Sequence, residues 1–168
     1  MIFSTIKSPL GYIQVAITSH GIASVSFSDS ESAAMVALLK RYPHAEEQHE
    51  NKDLRMILQQ ISDKISCPDT CFNFRLDIRG THFQQQVWQS ILTIPCGQTR
   101  SYSDVAVDIG YPLSARAVAM ACAANTLALL IPCHRVVRRD GSLSGYRWGQ
   151  ERKRFLLQRE QQYISNCS

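Results

Sequence analysis

Pro132-Cys133-His134-Arg135-Val136-Val137 puts a thiol beside an imidazole, inside an apolar segment that begins at Leu127. Alone, a cysteine in such company is an inert core residue, because a free thiol packs like a small hydrophobe. A Cys-His pair is also the raw material of a nucleophile: the thiolate is the reactive form, and a free Cys is mostly protonated near neutral pH. Consecutive side chains diverge, so a direct bond between Cys133 and His134 is awkward. A bridging water, with a carboxylate gripping the other ring nitrogen, is the simpler arrangement. Glu160, Glu151 and Asp140 are the carboxylates available for that grip.

The flanks read as helices and loops. Upstream, Ser103–Ile109 is a short helix capped by Ser103, Gly110-Tyr111-Pro112-Leu113 is its turn, and Ser114 caps a second helix from Ala115 to about Asn125. Two short helices joined by a Gly turn form a helix-turn-helix pattern, which αα-corners without DNA function share. The second helix has hardly any large side chains, which suits tight packing and equally suits a minor groove only about 6 Å wide. Its Arg116 lies in the first turn, where the helix dipole disfavours a cation, so the side chain reads as one offered to DNA. Further back, Thr81-His82-Phe83-Gln84 is a capping box, and the helix it opens ends at Pro95-Cys96-Gly97. Downstream, Arg138–Gly149 is a Gly- and Ser-rich loop. A final amphipathic helix, about Glu151 to Gln161, carries Phe155, Leu156 and Leu157 inward.

The first 79 residues form a small α/β unit. Residues 2–27 read as short strands with turns at Ser8–Gly11 and Ser19–Gly21. Met35, Leu38, Leu39 and Tyr42 share one helical face, and Leu54, Ile57, Leu58, Ile61 and Ile65 share another. Phe72, Phe74, Leu76 and Ile78 alternate with polar residues, which predicts a half-buried strand ending at Arg79-Gly80. The domain boundary is placed there, giving 1–79 and 80–168.

Composition is that of a globular chain, with 45% hydrophobic and 19% charged residues, and no run approaches the roughly 18 apolar residues of a membrane span. Met1–Thr5 shows no secretory pattern, so a cytoplasmic location is expected. Cys67, Cys71, Cys96, Cys122, Cys133 and Cys167 are then expected as thiols. Cys67-Pro-Asp-Thr-Cys71 has no second pair at metal spacing, so no metal and no cofactor are expected. Residues 1–79 hold 8 basic and 9 acidic residues; residues 80–168 hold 10 and 5, and nine of those ten are Arg. The Cys-His half is therefore the one suited to a phosphate partner.

Together, Gly80–Trp88, Ile94–Tyr102, Ala115–Val118, Pro132–Val137 and Gly145–Gly149, followed by Lys153 and Leu156-Leu157, resemble the O6-alkylguanine-DNA alkyltransferases. The likeness is densest from Gly80 to Glu160 and strongest to the alkyltransferase half of the bacterial Ada type. It implies a ribonuclease-H-like α/β domain followed by a mainly α domain with a helix-turn-helix. It implies repair by direct reversal: one irreversible transfer of the alkyl group from O6-alkylguanine, and from O4-alkylthymine, in double-stranded DNA. On matching positions Cys133 would accept the alkyl group, with His134 and Glu160 activating it through water and Asn125 as the hinge. Tyr102 would crowd a phosphate while Arg116 fills the stack vacated by the flipped nucleotide. Ser103, Ser114, Ala115, Ala117 and Arg135 would complete the minor-groove surface of a monomer. Tyr146, Arg147, Trp148, Val136 and Cys122 would line the guanine pocket, with the Trp148 indole subtracting room for large alkyl groups. An Ada-type regulator's zinc-binding N-terminal half has no counterpart here, which leaves open both a stand-alone alkyltransferase and an excised domain. Two rival classes also stay open: a helix-turn-helix regulator with an inert Cys133, and a cysteine hydrolase, against which the adjacent Cys-His pair argues.

Overall fold

Short runs of β-branched and aromatic residues broken by glycine turns become an antiparallel meander, β1 (Ile2–Ser8), β2 (Gly11–Thr18) and β3 (Gly21–Ser28). The computed structural model describes residues 1–143 and 145–167, the last without its side chain. Ser144 of the expected loop and the expected Cys167 thiol thus lie outside the described residues. The chain divides into two compact units, Met1–Ile78 with Thr126–Ala128, and Arg79–Asn125 with Leu129–Ser168. A linear cut into 1–79 and 80–168 therefore misses the return of residues 126–128 to the first unit.

In the first unit, β4 (Glu46–Glu47) pairs parallel with β1, giving the order β3-β2-β1-β4. Helix α1 (Glu31–Arg41), capped by Ser30, seats Leu38 on Phe3 and Ala16, which are register partners on one face of the sheet. Helix α2 (Lys52–Ser66), capped by Asn51, packs on β1 and β2 through Leu54, Ile57, Leu58, Ile61 and Ile65. Truncating a buried Leu of that stripe to Ala would cost about 2–5 kcal/mol. The strand expected over 72–78 does not form. Its side chains alternate as expected, but only Leu76 bridges to the sheet, at Ile22. The outer edge of β3 is shared: Ile22 bonds Arg75 and Asp77, while Val25 bonds Thr126 and Ala128. Two segments divide one edge, so neither extends into a ladder. At Gly21 (φ 137°) a Cβ would lie 2.3 Å from the Arg75 carbonyl oxygen, which is why glycine stands there.

The second unit opens with α3 (His82–Leu92), whose capping box joins Gln84 N–H to Thr81 Oγ1 (3.2 Å) and Thr81 N–H to Gln84 Oε1 (3.0 Å). Then come β5 (Arg100–Ser101), α4 (Tyr102–Asp108) and α5 (Ala115–Ala124). A 3-10 turn (Cys133–Arg135) leads into β6 (Val136–Val137), parallel to β5, and α6 (Gln150–Cys167) closes the unit. Helices α3 and α4 both pack on α5, whose small residues let the Trp88 indole reach in and donate to the Ala121 carbonyl at 2.9 Å. The cap of α4 is Ser101, boxed with Asp104, so the expected cap Ser103 sits instead in the first turn. Ser114 occupies the N-cap position of α5 but makes no side-chain cap bond, its backbone (φ −103°, ψ 24°) lying outside the extended form that capping needs. Helix α6 runs one turn and more beyond the expected end. Its inward face is Lys153, Leu156 and Glu160 with Leu157 beside it, whereas Phe155 points outward. No helix among the described residues is long and apolar enough to cross a membrane.

Candidate active site

The site is built at the C-terminus of α5. The apolar run that follows bends at Leu129, where a bulky residue takes a φ of 65°, a conformation that costs about 1–3 kcal/mol and persists only where packing enforces it. Asn125, fully buried, ties that bend to the helix. Its N–H donates to the Cys122 carbonyl (3.2 Å), and its Nδ2 donates to the Ile131 carbonyl (3.1 Å) and to the Cys133 sulfur (3.2 Å).

Cys133 opens the 3-10 turn, buried at 3% exposure. Burial pushes its thiol well up and the neighbouring Cys122 adds to this, while Asn125 and the Lys153 charge pull the other way. The resting sulfur is therefore protonated and needs a base at the moment it reacts.

His134 reaches α6. Its Nε2 lies 2.6 Å from Glu160 Oε1, and both side chains are almost fully buried. Glu160 also accepts from Arg135 Nε (3.1 Å to each oxygen), Arg135 Nη2 (3.0 Å) and the Gly97 N–H (2.9 Å). Burial alone would raise this carboxyl, but the bonds from His134, Arg135 and Gly97 hold it at about 2. Burial lowers the His134 imidazole against the pull of Glu160, with Arg135 and Lys153 pushing the same way as burial. A neutral ring beside an ionised carboxylate carries its proton on Nε2 and leaves Nδ1 as an acceptor. Nδ1 is buried and has no hydrogen-bond partner among the described residues. The other two carboxylates are elsewhere: Glu151 pairs with Arg154, and Asp140 bonds Ser142 within its loop.

Around the sulfur is a pocket of about 320 Å³ lined by Tyr102, Ala119, Cys122, Ala123, Cys133, Gly145, Tyr146 and Arg147. Lys153 borders it from α6, its ammonium 5.9 Å above the Tyr102 ring and 2.6 Å from the Val136 carbonyl. Burial lowers the Lys153 pKa, and the two thiols counter it. The Tyr146 hydroxyl is buried without a partner among the described residues, and burial keeps it protonated.

Three expected placements change, and one, Arg147, holds its expected place in the lining. Trp148 does not line the pocket; it is buried with its ring edge-to-face on Tyr146, centroids 5.1 Å apart. Val136 lies under the site, offering only its carbonyl, because β6 pairing turns its side chain into the core. Arg135, expected on DNA, spends its guanidinium on Glu160 and on the Ile94 carbonyl (2.7 Å), since an ionised carboxylate buried this deeply demands a forked partner. Arg147 lines the pocket, with Nη1 on the Ala123 carbonyl at 3.0 Å. Of the residues expected to meet DNA, Arg116 on α5 is exposed, and Ser103 on α4, Ser114, Ala115 and Ala117 are half-buried. Sequence reasoning missed the exposure of Met120 (69%) on α5 and of Leu113 (99%) in the turn before it, and missed Lys153 as a buried group. The signal for Lys153 was its place four and seven residues from Gly149 and Glu160, on the face of Leu156. Among the described residues no group of three or more His, Cys, Asp or Glu could hold a metal ion.

Residues 1–78 match the family model described as "6-O-methylguanine DNA methyltransferase, ribonuclease-like domain", and residues 82–162 match its "DNA binding domain". A methylated-DNA--protein-cysteine methyltransferase of Methanosarcina barkeri is 36% identical over 96% of this chain and 98% of its own length. The chain belongs to the 6-O-methylguanine DNA methyltransferase family. Within it, the Ada proteins of Salmonella typhimurium and Escherichia coli are each 47% identical over 90% of this chain, which spans 43% of their length. A crystal structure titled as Mycobacterium tuberculosis OGT in complex with DNA superposes with a TM-score of 0.82 at 35% identity, covering 97% of this chain and 94% of that one. The ribonuclease-like α/β domain followed by a helical DNA-binding domain is thus the family's architecture as well as the observed one.

Proposed function

We propose that this chain repairs O6-alkylguanine, and O4-alkylthymine, in double-stranded DNA by a single transfer of the alkyl group to Cys133. The observation that carries the reading is the Cys133 sulfur in its pocket, followed in the same 3-10 turn by His134, whose Nε2 lies 2.6 Å from Glu160. A base inside a duplex cannot reach a buried thiol, so the damaged nucleotide leaves the stack first. The small-residue surface of α5 enters the minor groove, Arg116 fills the vacated place and Tyr102 crowds the adjacent phosphate. His134 Nδ1 takes the thiol proton through a water, and the imidazolium so formed is held by Glu160. The sulfur then attacks the alkyl carbon in line and the carbon–oxygen bond breaks. Its electron pair goes to the guanine, which ends with one proton in place of the one the thiol gave up. Nothing cleaves the thioether, so each molecule acts once. The M. tuberculosis relative's DNA complex and the names of the methyltransferase relatives support this reading.

The experiment is intact-mass measurement after mixing with a duplex containing O6-methylguanine. One methyl, about 14 mass units, is expected on Cys133 and none on Cys133→Ser. Repaired DNA beyond one equivalent, or transfer surviving in Cys133→Ser, would end the proposal.

A further inference from the structure

The pocket holds a second thiol that the transfer does not use. Cys122 sits on the last turn of α5 and lines the same roughly 320 Å³ space as Cys133. Asn125 couples the two positions, bonding the Cys122 carbonyl through its backbone and the Cys133 sulfur through its side chain. Cys122 is the neighbouring thiol that adds to burial in raising the Cys133 pKa, and both cysteines are free thiols. The Lys153 charge acts on the same sulfur and favours its thiolate. Such a dithiol has the parts of an attacking and a resolving cysteine.

We propose that Cys122 is a resolving thiol, forming a reversible disulfide with Cys133 when the protein meets a hydroperoxide. The Cys133 sulfur attacks the peroxide oxygen, the O–O bond breaks, and with hydrogen peroxide one water leaves a sulfenic acid on Cys133. The Cys122 sulfur then attacks that sulfur; the S–O bond breaks, the S–S bond forms and a second water departs. Two thiols are oxidised and one peroxide is reduced, and a dithiol reductant reverses the change by exchange. The consequence is protection. An acceptor that can be used once is lost for good if it reaches the sulfinic state, whereas a disulfide is recoverable. The disulfide is a chemical claim about two residues, and only its effect on repair rests on the function proposed above.

No Lys or Arg lies between Arg116 and Arg135, so trypsin releases both cysteines on one peptide, Ala117–Arg135. The folded full chain is treated with hydrogen peroxide, its free thiols are capped, and it is digested without reductant. The expected product is that peptide about two mass units light and uncapped, taking two caps only after reduction. Alkyl transfer to methylated duplex should be lost with peroxide and regained with dithiothreitol. Relative to each variant's own untreated reaction, the regained fraction should be at least roughly tenfold lower in Cys122→Ala. A peptide bearing both caps, a gain of about 32 mass units on Cys133 of the native chain, or a bridge confined to Cys67 and Cys71 would overturn the proposal. If methyl transfer itself never occurs, the peptide mass still decides the disulfide.

Discussion

His134 Nε2 and Glu160 Oε1 stand 2.6 Å apart, 26 residues separated in sequence, with the carboxylate ionised and the ring neutral. That fixes Nδ1 as the basic nitrogen, and with it the acid limb of the reaction. The His134 pKa lies below the ordinary value of 6.5, so transfer should hold steady through pH 6.5 and decline only at lower pH. Glu160→Gln keeps an acceptor for Nε2–H but removes the charge that stabilises the imidazolium. Single-turnover transfer should slow roughly ten- to hundredfold, short of the 10²–10⁴ of a lost general base. An unchanged rate, or a thiol titration of Cys133 that does not move, would remove Glu160 from the network.

The same pair makes the second unit acid-sensitive. Glu160 is a stronger acid folded (about 2) than its ordinary 4.5, so its stabilisation is complete above pH 4.5 and is lost as pH falls towards 2. At about 1.4 kcal/mol per pH unit this is roughly 3 kcal/mol. His134 is harder to protonate folded than unfolded, so the unfolded chain gains protons first below pH 6.5 and stability falls there too. Melting temperature should therefore drop steadily below pH 6.5, and Glu160→Gln should flatten the part below 4.5. A profile of the same slope in both proteins would contradict the assigned ionisation.

Arg135 and Arg116 should separate cleanly. Arg135 grips Glu160 through three nitrogen–oxygen contacts, and breaking one side of a buried pair costs about 3 kcal/mol or more. Arg135→Ala should lower the melting temperature, and Arg135→Lys should recover it only partly, because an ammonium has no fork. Neither should change the salt dependence of duplex binding; a slope reduced by about one phosphate would put Arg135 back on DNA. Arg116→Ala should do the reverse, sparing stability while cutting repair of duplex more than reaction with the free modified base. Equal losses on both substrates would count against its filling the stack.

These residues also mark where sequence reading stopped. The stripe from Leu54 to Ile65 and the Thr81–Gln84 box were legible because period and capping are local chemistry. The 72–78 strand was not, since strand formation depended on who shared the edge of β3. Serines flank Tyr102 on both sides, at 101 and 103, and only the Asp104 contacts distinguish Ser101 as the cap. Charged residues are almost never buried without partners, so Arg135 read as surface until Glu160 and the Ile94 carbonyl were seen to hold it. The Cys133–His134 pair was visible, but which carboxylate stood behind it was a matter of α6 folding back.

Trp148 poses the last question, that of alkyl size. The pocket is lined by Tyr146 and by small residues, Ala119, Ala123 and Gly145, while the indole stands behind Tyr146 with its centroid 5.1 Å from that ring. Its expected influence on the alkyl group is therefore indirect, through its contact with Tyr146, with the Arg147 guanidinium 5.9 Å over its own ring. Aromatic pairs in this geometry add about 0.5–1.5 kcal/mol beyond burial, and removing a buried Trp costs about 3–5 kcal/mol. The intact protein should prefer methyl to benzyl adducts, because a fixed Tyr146 closes a close-packed wall. Trp148→Gly should lower the melting temperature and at the same time raise benzyl relative to methyl transfer, since Tyr146 is then free to move. Trp148→Phe keeps an aromatic support and should leave the ratio within about twofold. Competition between O6-methyl- and O6-benzylguanine measures it. If Trp148→Gly lowers stability but leaves the ratio where it was, Tyr146 is held by other contacts and the tryptophan has no part in selecting the alkyl group.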